Sequence, residues 1–326
     1  MRVVLLAILL AGAAAAGVWW WLQTPLPLAR PVVELSIEPG TPPREVAQAW
    51  VGAGIEVDAR LLYAWFRASG QARKIRAGSY EVHGGITPRD LLDKMVRGDE
   101  TLETVRFIEG WTFKQLRAAL AKAPGLGATT ANMSDAEVMQ RLGSPDLPAE
   151  GNFYPDTYAY SRGVSDLTVL KRAHQTLRRH LDAAWAARAP DLPLQSPEQA
   201  LVLASIIEKE TGRSADRSKI AAVFINRLRL GMPLQTDPSV IYGLSEAFDG
   251  NLRKRDLSAD TPFNTYLRPG LPPTPIAMPG RESLHAALHP AAVNALYFVA
   301  RGDGTSEFSD NLAAHNRAVN LYQRGK

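Results

Sequence analysis

Leu201-Val202-Leu203-Ala204-Ser205-Ile206-Ile207-Glu208-Lys209-Glu210-Thr211 is an apolar stretch that ends in two glutamates. Ser205 is the one polar side chain among its first seven residues. Upstream, Ser196-Pro197-Glu198 supplies a capping serine and a proline at the first helical position, so a helix is predicted from there to about Thr211. Two residues on a helix are about 200° apart, so Glu208 and Glu210 belong to different faces. Three, four and seven positions before Glu210 stand Ile207, Ile206 and Leu203; the same offsets from Glu208 give Ser205, Ala204 and Leu201. Glu210 therefore extends the greasier face. Burial disfavours the charged carboxylate and raises its pKa, which a general acid near neutral pH needs. The plainer alternative is a helix-end glutamate paired with Arg213 or Arg217.

Polar and aromatic residues gather downstream. A helix is predicted over Asp216 to Leu230, stopped by Gly231, and from Pro233 to about Gly280 the chain is rich in Gly, Pro, Asn and Thr. Such a stretch between ordered elements builds sites more often than it merely links. It holds Gln235-Thr236-Asp237-Pro238, Tyr242 and Asn264-Thr265-Tyr266. Amides beside aromatic rings suit a sugar, whose face stacks while its hydroxyl and acetamido groups take hydrogen bonds. Asx-turns and buried tyrosines would read the same way. His285 and His289, four apart, share a helix face in the manner of a metal pair, but no third ligand is evident.

The amino-terminal end has another character. Val3 to Leu22 carries no charge, and twenty helical residues span about 30 Å, the thickness of a bilayer core. Trp19, Trp20 and Trp21 close the run where an interfacial aromatic belt would sit. The expected organisation is a cytoplasmic terminus (1–2) and a transmembrane helix (3–22), with the remainder outside the cytoplasm. A cleaved signal peptide is the alternative, because Ala13 to Ala16 offers small-residue cleavage sites. Gln23 to Pro31, with three prolines, reads as a short extended tether. Val32 to Ile37 then reads as a strand, Thr41 as the cap of a helix reaching Ala53, Asp58 as the cap of a second helix, and Gly78 to Val82 as a returning strand. Glycine and threonine before an apolar helix start recur at Gly40-Thr41, Gly85-Thr87 and Gly110-Thr112. Either strand-to-helix turns are simply written this way, or a small module is degenerately repeated.

The 326 residues include 37 Lys+Arg and 33 Asp+Glu, a net charge of +4 that is too small to argue for a nucleic-acid partner. The 46% apolar content allows a sizeable core. With no cysteine, a disulfide scaffold, a zinc-thiolate site and a thiol nucleophile are excluded. Neither a phosphate-cradling glycine loop nor a GxSxG elbow appears, and no cofactor is implied.

The stretch Leu203 to Thr211 resembles the signature of the endolytic murein transglycosylases, the YceG-like (MltG) family. So do Val223-Phe224-Ile225-Asn226-Arg227-Leu228, the run Gly231 to Gly243, Asn264-Thr265-Tyr266, Gly270-Leu271-Pro272-Pro273 and Pro275-Ile276. Glu150 to Tyr158, Ser309 to Leu312 and His315-Asn316 fit as well, and the likeness spans nearly the whole chain; it departs modestly at Asn152-Phe153. The resemblance implies an α+β chain with a transmembrane helix, a LysM-like β-α-α-β module (32–98) and a mixed α/β catalytic domain (99–326). It implies a single-pass inner-membrane protein whose catalytic part is periplasmic. Its activity would be lytic cleavage of MurNAc-β-1,4-GlcNAc bonds within nascent glycan, leaving 1,6-anhydroMurNAc ends and helping to end glycan elongation. The partners implied are peptidoglycan strands, the inner membrane and peptidoglycan polymerases.

By motif the catalytic residue falls on Glu210. Asn226, Gln235 and Asn264 are candidates for holding acetamido or hydroxyl groups, and Tyr242 and Tyr266 for stacking or orienting the carboxyl. Thr211, Thr236 and Asp237 complete the substrate-binding candidates; Glu208 and Glu150 are supporting candidates. A muramidase, with Asp237 or Glu208 activating water, and a non-catalytic wall-binding protein are the alternatives.

Overall fold

The structure is a computed structural model that describes residues 2–325. It is a mixed α+β chain with one N-terminal apolar helix, and it divides into two compact units.

The first unit holds the residues up to Thr104 together with 124–127 and 159–164. It begins with helix α1 (Arg2–Gln23), in which Leu5, Ile8, Leu9 and Trp20 are exposed. A helix this long and apolar fits a membrane span or a signal sequence equally by composition. Strands β1 (Val32–Ile37) and β2 (Gly78–His83) pair antiparallel, with Val33 opposite Val82 and Leu35 opposite Tyr80. Between them lie α2 (Pro43–Ala53) and α3 (Ala59–Ala68), and α4 (Pro88–Arg97) follows. Trp50, Phe66, Tyr80, Leu91, Leu92 and Met95 fill a core in which each large apolar side chain contributes about 1.5–3 kcal/mol.

Two expectations change here. Asp58 caps α3 and Thr87 caps α4, but Thr41 does not cap α2; its hydroxyl donates back to the Glu38 carbonyl at 2.8 Å, and Pro42 occupies the N-cap. The three recurring glycines do share positive φ (Gly40 +86°, Gly85 +97°, Gly110 +76°), so the common element is the turn. Second, 23–31 is no free tether. Leu26 is buried in the core, its N–H donates to the Ile86 carbonyl at 2.7 Å, Ala29 donates to Gly54 and Glu56 donates to Pro27. Leu28 bridges Ile55 antiparallel. The segment is a strap laid across the unit.

The second unit holds Val105–Ala123, Ala128–Tyr158 and everything from Ser165 on. Strands β3 (Glu103–Arg106) and β4 (Thr157–Tyr160) pair with each other, and only Val105–Arg106 and Thr157–Tyr158 of them belong to this unit. Helices α5 (Phe113–Lys122) and α6 (Asp135–Arg141) both start on full capping boxes, Thr112 with Gln115 and Ser134 with Glu137. Next come α7 (Asp166–Ala186), α8 (Pro197–Glu210) and α9 (Ser214–Arg229). The stretch after Pro233 contains a further helix, α10 (Asp237–Leu244), that its composition had concealed. Helix α11 (Arg281–Leu288), the antiparallel pair β5 (Tyr297–Ala300) and β6 (Ser306–Ser309), and α12 (Leu312–Gln323) complete the chain.

Helix α8 runs through the middle of this unit. Every residue from Ala200 to Ile207 is buried, against Leu177 and Leu181 of α7, Ile220 and Phe224 of α9, and Leu284 and Leu288 of α11. Ser196 caps its start as expected, accepting from the Gln199 N–H. Ser205 is tied internally: its hydroxyl donates to the Val202 carbonyl and accepts from the Ile276 N–H at 3.0 Å. A helix so completely packed is a rigid rod, and it delivers its last turn to a fixed place.

Candidate functional site

The last turn of α8 separates its two glutamates as the 200° argument requires. The Glu208 side chain is only 7% exposed; it lies 3.6 Å from the Arg217 guanidinium and accepts the Gly280 N–H at 2.9 Å. A Cβ at Gly280 would meet the Glu109 carboxylate, which would have to move aside. Arg217 also pairs with Glu282. This is a braced internal cluster, so Glu208 is not a surface residue.

Glu210 faces elsewhere. It has no cation partner among the described residues, and Arg217, a candidate partner from the sequence, is committed to Glu208 and Glu282. Its carboxylate accepts a hydrogen bond from the Thr236 hydroxyl. Burial pushes the Glu210 carboxyl up to about 7; the Thr236 bond pulls against that rise and the Asp237 charge adds to it. A carboxyl poised there has both its protonated and its ionised form populated near neutral pH, so it can give a proton and take one back.

Thr236 is held in turn. Its N–H donates to Thr265 Oγ1 at 3.0 Å, and Ser239 Oγ lies 2.9 Å from the same hydroxyl. Asp237 opens α10 with Pro238 behind it. The Tyr266 hydroxyl donates to Asp237 Oδ1 at 2.6 Å, and burial followed by that carboxylate raises the phenol pKa.

These groups line an open cleft of about 630 Å³. Of the residues singled out in the sequence, Glu210, Gln235, Asp237 and Tyr266 face it, and Thr236 stands behind them. The others lie apart. Asn226 donates its amide to the carbonyls of Val293 and Ala295. Asn264, wholly buried, donates to Leu257 and Ala259 and accepts the Tyr266 N–H. Both amides hold loops rather than facing the cleft. Thr211 ends α8, its hydroxyl accepting the Arg213 N–H at 3.0 Å. Tyr242 packs edge-on against Phe263 and donates to Glu150 at 3.3 Å, not to Glu210. Glu150 accepts the Phe113 N–H at the start of α5, and burial lifts its carboxyl to about 7 despite its hydrogen bonds.

The cleft also contains residues to which the sequence reading gave no role: Arg227 from α9, Tyr297 from β5, and His315 and Asn316 from α12. Three of them, Arg227, His315 and Asn316, stood inside stretches already singled out; what hid Arg227 and His315 was that they meet at the ring of Tyr297, which the sequence does not place beside either. His315 stacks on Tyr297 at 5.1 Å, and the Arg227 guanidinium lies 5.1 Å from the same ring.

The fold and cleft thus define one class of site: a buried carboxyl with a raised pKa at the end of a rigid helix, opening onto a polar and aromatic groove. The YceG-like family model matches residues 35–321. An endolytic murein transglycosylase of Bacillus subtilis is 32% identical over 273 residues, covering 78% of this chain and 75% of that protein. An endolytic murein transglycosylase of Streptococcus pneumoniae is 24% identical over 321 residues, covering 88% of this chain. The present chain spans 58% of that pneumococcal relative's length. The crystal structure of a YceG-like protein from Listeria monocytogenes superposes with a TM-score of 0.53 at 27% identity, covering 88% of this chain and 98% of its own. The chain belongs to the YceG-like family.

Proposed function

We propose that this protein is a peptidoglycan lytic transglycosylase in which Glu210 is both general acid and general base. Protonated Glu210 donates to the glycosidic oxygen between MurNAc and GlcNAc as the C1–O bond breaks. The sugar's own 2-acetamido carbonyl stabilises the positive charge growing at C1, so a second enzyme carboxylate is not required. Glu210, now ionised, takes the proton from the 6-hydroxyl, whose oxygen closes onto C1. One bond breaks, one forms, the proton returns to Glu210, and the product carries a 1,6-anhydro end.

The observation that carries this reading is Glu210 itself, a carboxyl lifted to about 7 by burial, without a cation and open to the cleft. Thr236 steers its oxygen, while Gln235, Asp237 and Tyr266 border the place a sugar would occupy. A water-activating base finds little support. Asp237 is engaged by Tyr266, and Glu208 is buried beside Arg217 on another face.

In the same reading α1 is an inner-membrane anchor, residues 32–98 form a LysM-like module and 99–326 form the periplasmic catalytic domain. Cutting nascent glycan beside the polymerases would end strand elongation. The test is mass spectrometry of uncrosslinked glycan strands incubated with the wild-type chain and with Glu210→Gln. Anhydro-muramic ends from the wild type alone are expected. Ends heavier by one water would make the protein a muramidase, and absence of fragments from the wild type would leave a wall-binding protein.

A further inference from the structure

Arg227 is the unexplained group of the cleft. It is 7% exposed, and its guanidinium has no carboxylate partner among the described residues. Its acceptors are all neutral: Nε donates to the Leu296 carbonyl at 2.7 Å, and Nη1 to the carbonyls of Pro233 (3.1 Å) and Leu234 (2.9 Å) and to Gln235 Oε1 (3.1 Å). Nη2 has no acceptor among the described residues. Removing a guanidinium from water costs several kcal/mol even after relaxation, and carbonyl dipoles offset that loss only in part. A buried cation that lines a cleft and lacks a counter-charge is completed by what enters the cleft.

Gln235 points to the same conclusion independently. Its backbone stands at φ +52°, a region that side chains other than glycine occupy at a cost of about 1–3 kcal/mol. Its N–H is fixed to the Thr265 carbonyl at 3.0 Å. Because Oε1 is taken by Arg227, the amide's two donors are turned away from the guanidinium, on an exposed side chain at the cleft. Two sets of unused N–H donors therefore sit together, one residue along the chain from Thr236, which holds Glu210. Beside them the Tyr297 ring stacks on His315 and carries the Arg227 guanidinium 5.1 Å from its centre, and the buried His315 Nδ1 has no partner among the described residues.

We propose that Arg227 and Gln235 form an acyl-oxygen subsite that reads the 3-O-lactyl group of the muramoyl sugar. This rests on the transglycosylase reading above and deepens it. The lactyl arm is what distinguishes a muramoyl sugar from N-acetylglucosamine. It offers an amide carbonyl oxygen when the stem peptide is attached and a carboxylate when the peptide has been removed. Both accept from a guanidinium and an amide, and the carboxylate accepts more strongly because it also meets the guanidinium as an opposite charge and can take two of its N–H groups at once. Arg227 and Gln235 are thereby specificity-determining, and Glu210 remains the proton carrier.

The experiment measures binding to the full chain carrying Glu210→Gln, so that nothing is cleaved. Three tetrasaccharides are compared: chitotetraose, a GlcNAc–MurNAc tetrasaccharide with stem peptides, and the same sugar stripped of its peptides. Affinity is expected to rise in that order, with at least a tenfold gap between the first and the last. Adding Arg227→Gln should bring the ratio close to one, and Arg227→Lys should keep preference for the stripped sugar while losing it for the peptide-bearing one. Because Arg227 also holds three carbonyls, Gln235→Glu is the second variant. It leaves the core untouched, sets an internal carboxylate against Arg227 and should abolish the preference, with a melting temperature no lower than the parent's because the guanidinium gains a counter-charge. An unchanged ratio in Gln235→Glu, or no preference in the parent, overturns the proposal. If the wild type yields no anhydro ends and the parent binds none of the three sugars, the transglycosylase reading falls with it.

Discussion

Two faces of the last turn of α8 carry the same amino acid to opposite ends. Glu208 and Glu210 are both largely withdrawn from water, yet Glu208 meets Arg217 and a backbone N–H, whereas Glu210 meets one hydroxyl. Burial alone does not make an acid. Burial next to a cation makes a brace, and burial without one makes a carboxyl that keeps its proton to about pH 7.

The comparison is broken most severely at Glu210. Glu210→Gln keeps the shape and the Thr236 contact but removes the exchangeable proton, so turnover should fall about 10³-fold, within the range attributed to general acid–base catalysis. Glu208→Gln should do the reverse. Stability should drop by about 2 kcal/mol, the usual size of a lost charged hydrogen bond, with turnover within tenfold of the wild type. If Glu208→Gln were the inactive variant, the assignment would have the faces the wrong way round.

The pH dependence of stability sharpens the same contrast. Because the fold raises the Glu210 pKa from 4.5 to about 7, it favours the protonated form. That stabilisation is complete below about pH 4.5 and is lost as the pH rises through 7. Wild type and Glu210→Gln should therefore melt alike at pH 4, and the variant should melt higher at pH 8. The smallest effect is expected from Thr236→Val. The hydroxyl lowers the Glu210 pKa, so its removal should move the alkaline limb of the pH–rate profile upward while the maximal rate changes little.

The end of α8 was legible because three offsets and one helical period decide it. The caps at Asp58, Thr87, Thr112 and Ser196 follow from equally local chemistry. Legibility fails where a side chain's partner is distant. Asn226 and Asn264 looked like sugar ligands because an amide's type is visible and its direction is not; 67 residues of chain separate Asn226 from the Val293 carbonyl it holds. Arg227 was quoted inside a motif but given no task, since its isolation from any carboxylate appears only after folding. Helix α10 was hidden by Gly, Pro and Thr, residues that punctuate structure in most settings; here Thr236 holds the N-cap position without a side-chain cap bond, Pro238 lies in the first turn and Gly243 lies within the helix.

The strap before β1 has a mechanical consequence. Nine loose, proline-rich residues would reach about 28 Å and let whatever follows them swing freely. Here Leu26 is inserted into the core and three backbone hydrogen bonds fasten the segment on both sides. Its upstream end is tied as well: Thr24 donates its N–H to the Trp21 carbonyl and its hydroxyl to the Trp20 carbonyl of α1. Wherever α1 is fixed, the first unit is mounted on it like a bracket, and its working height is set by its own thickness. Inserting residues into the strap would loosen the bracket before it lengthened the arm.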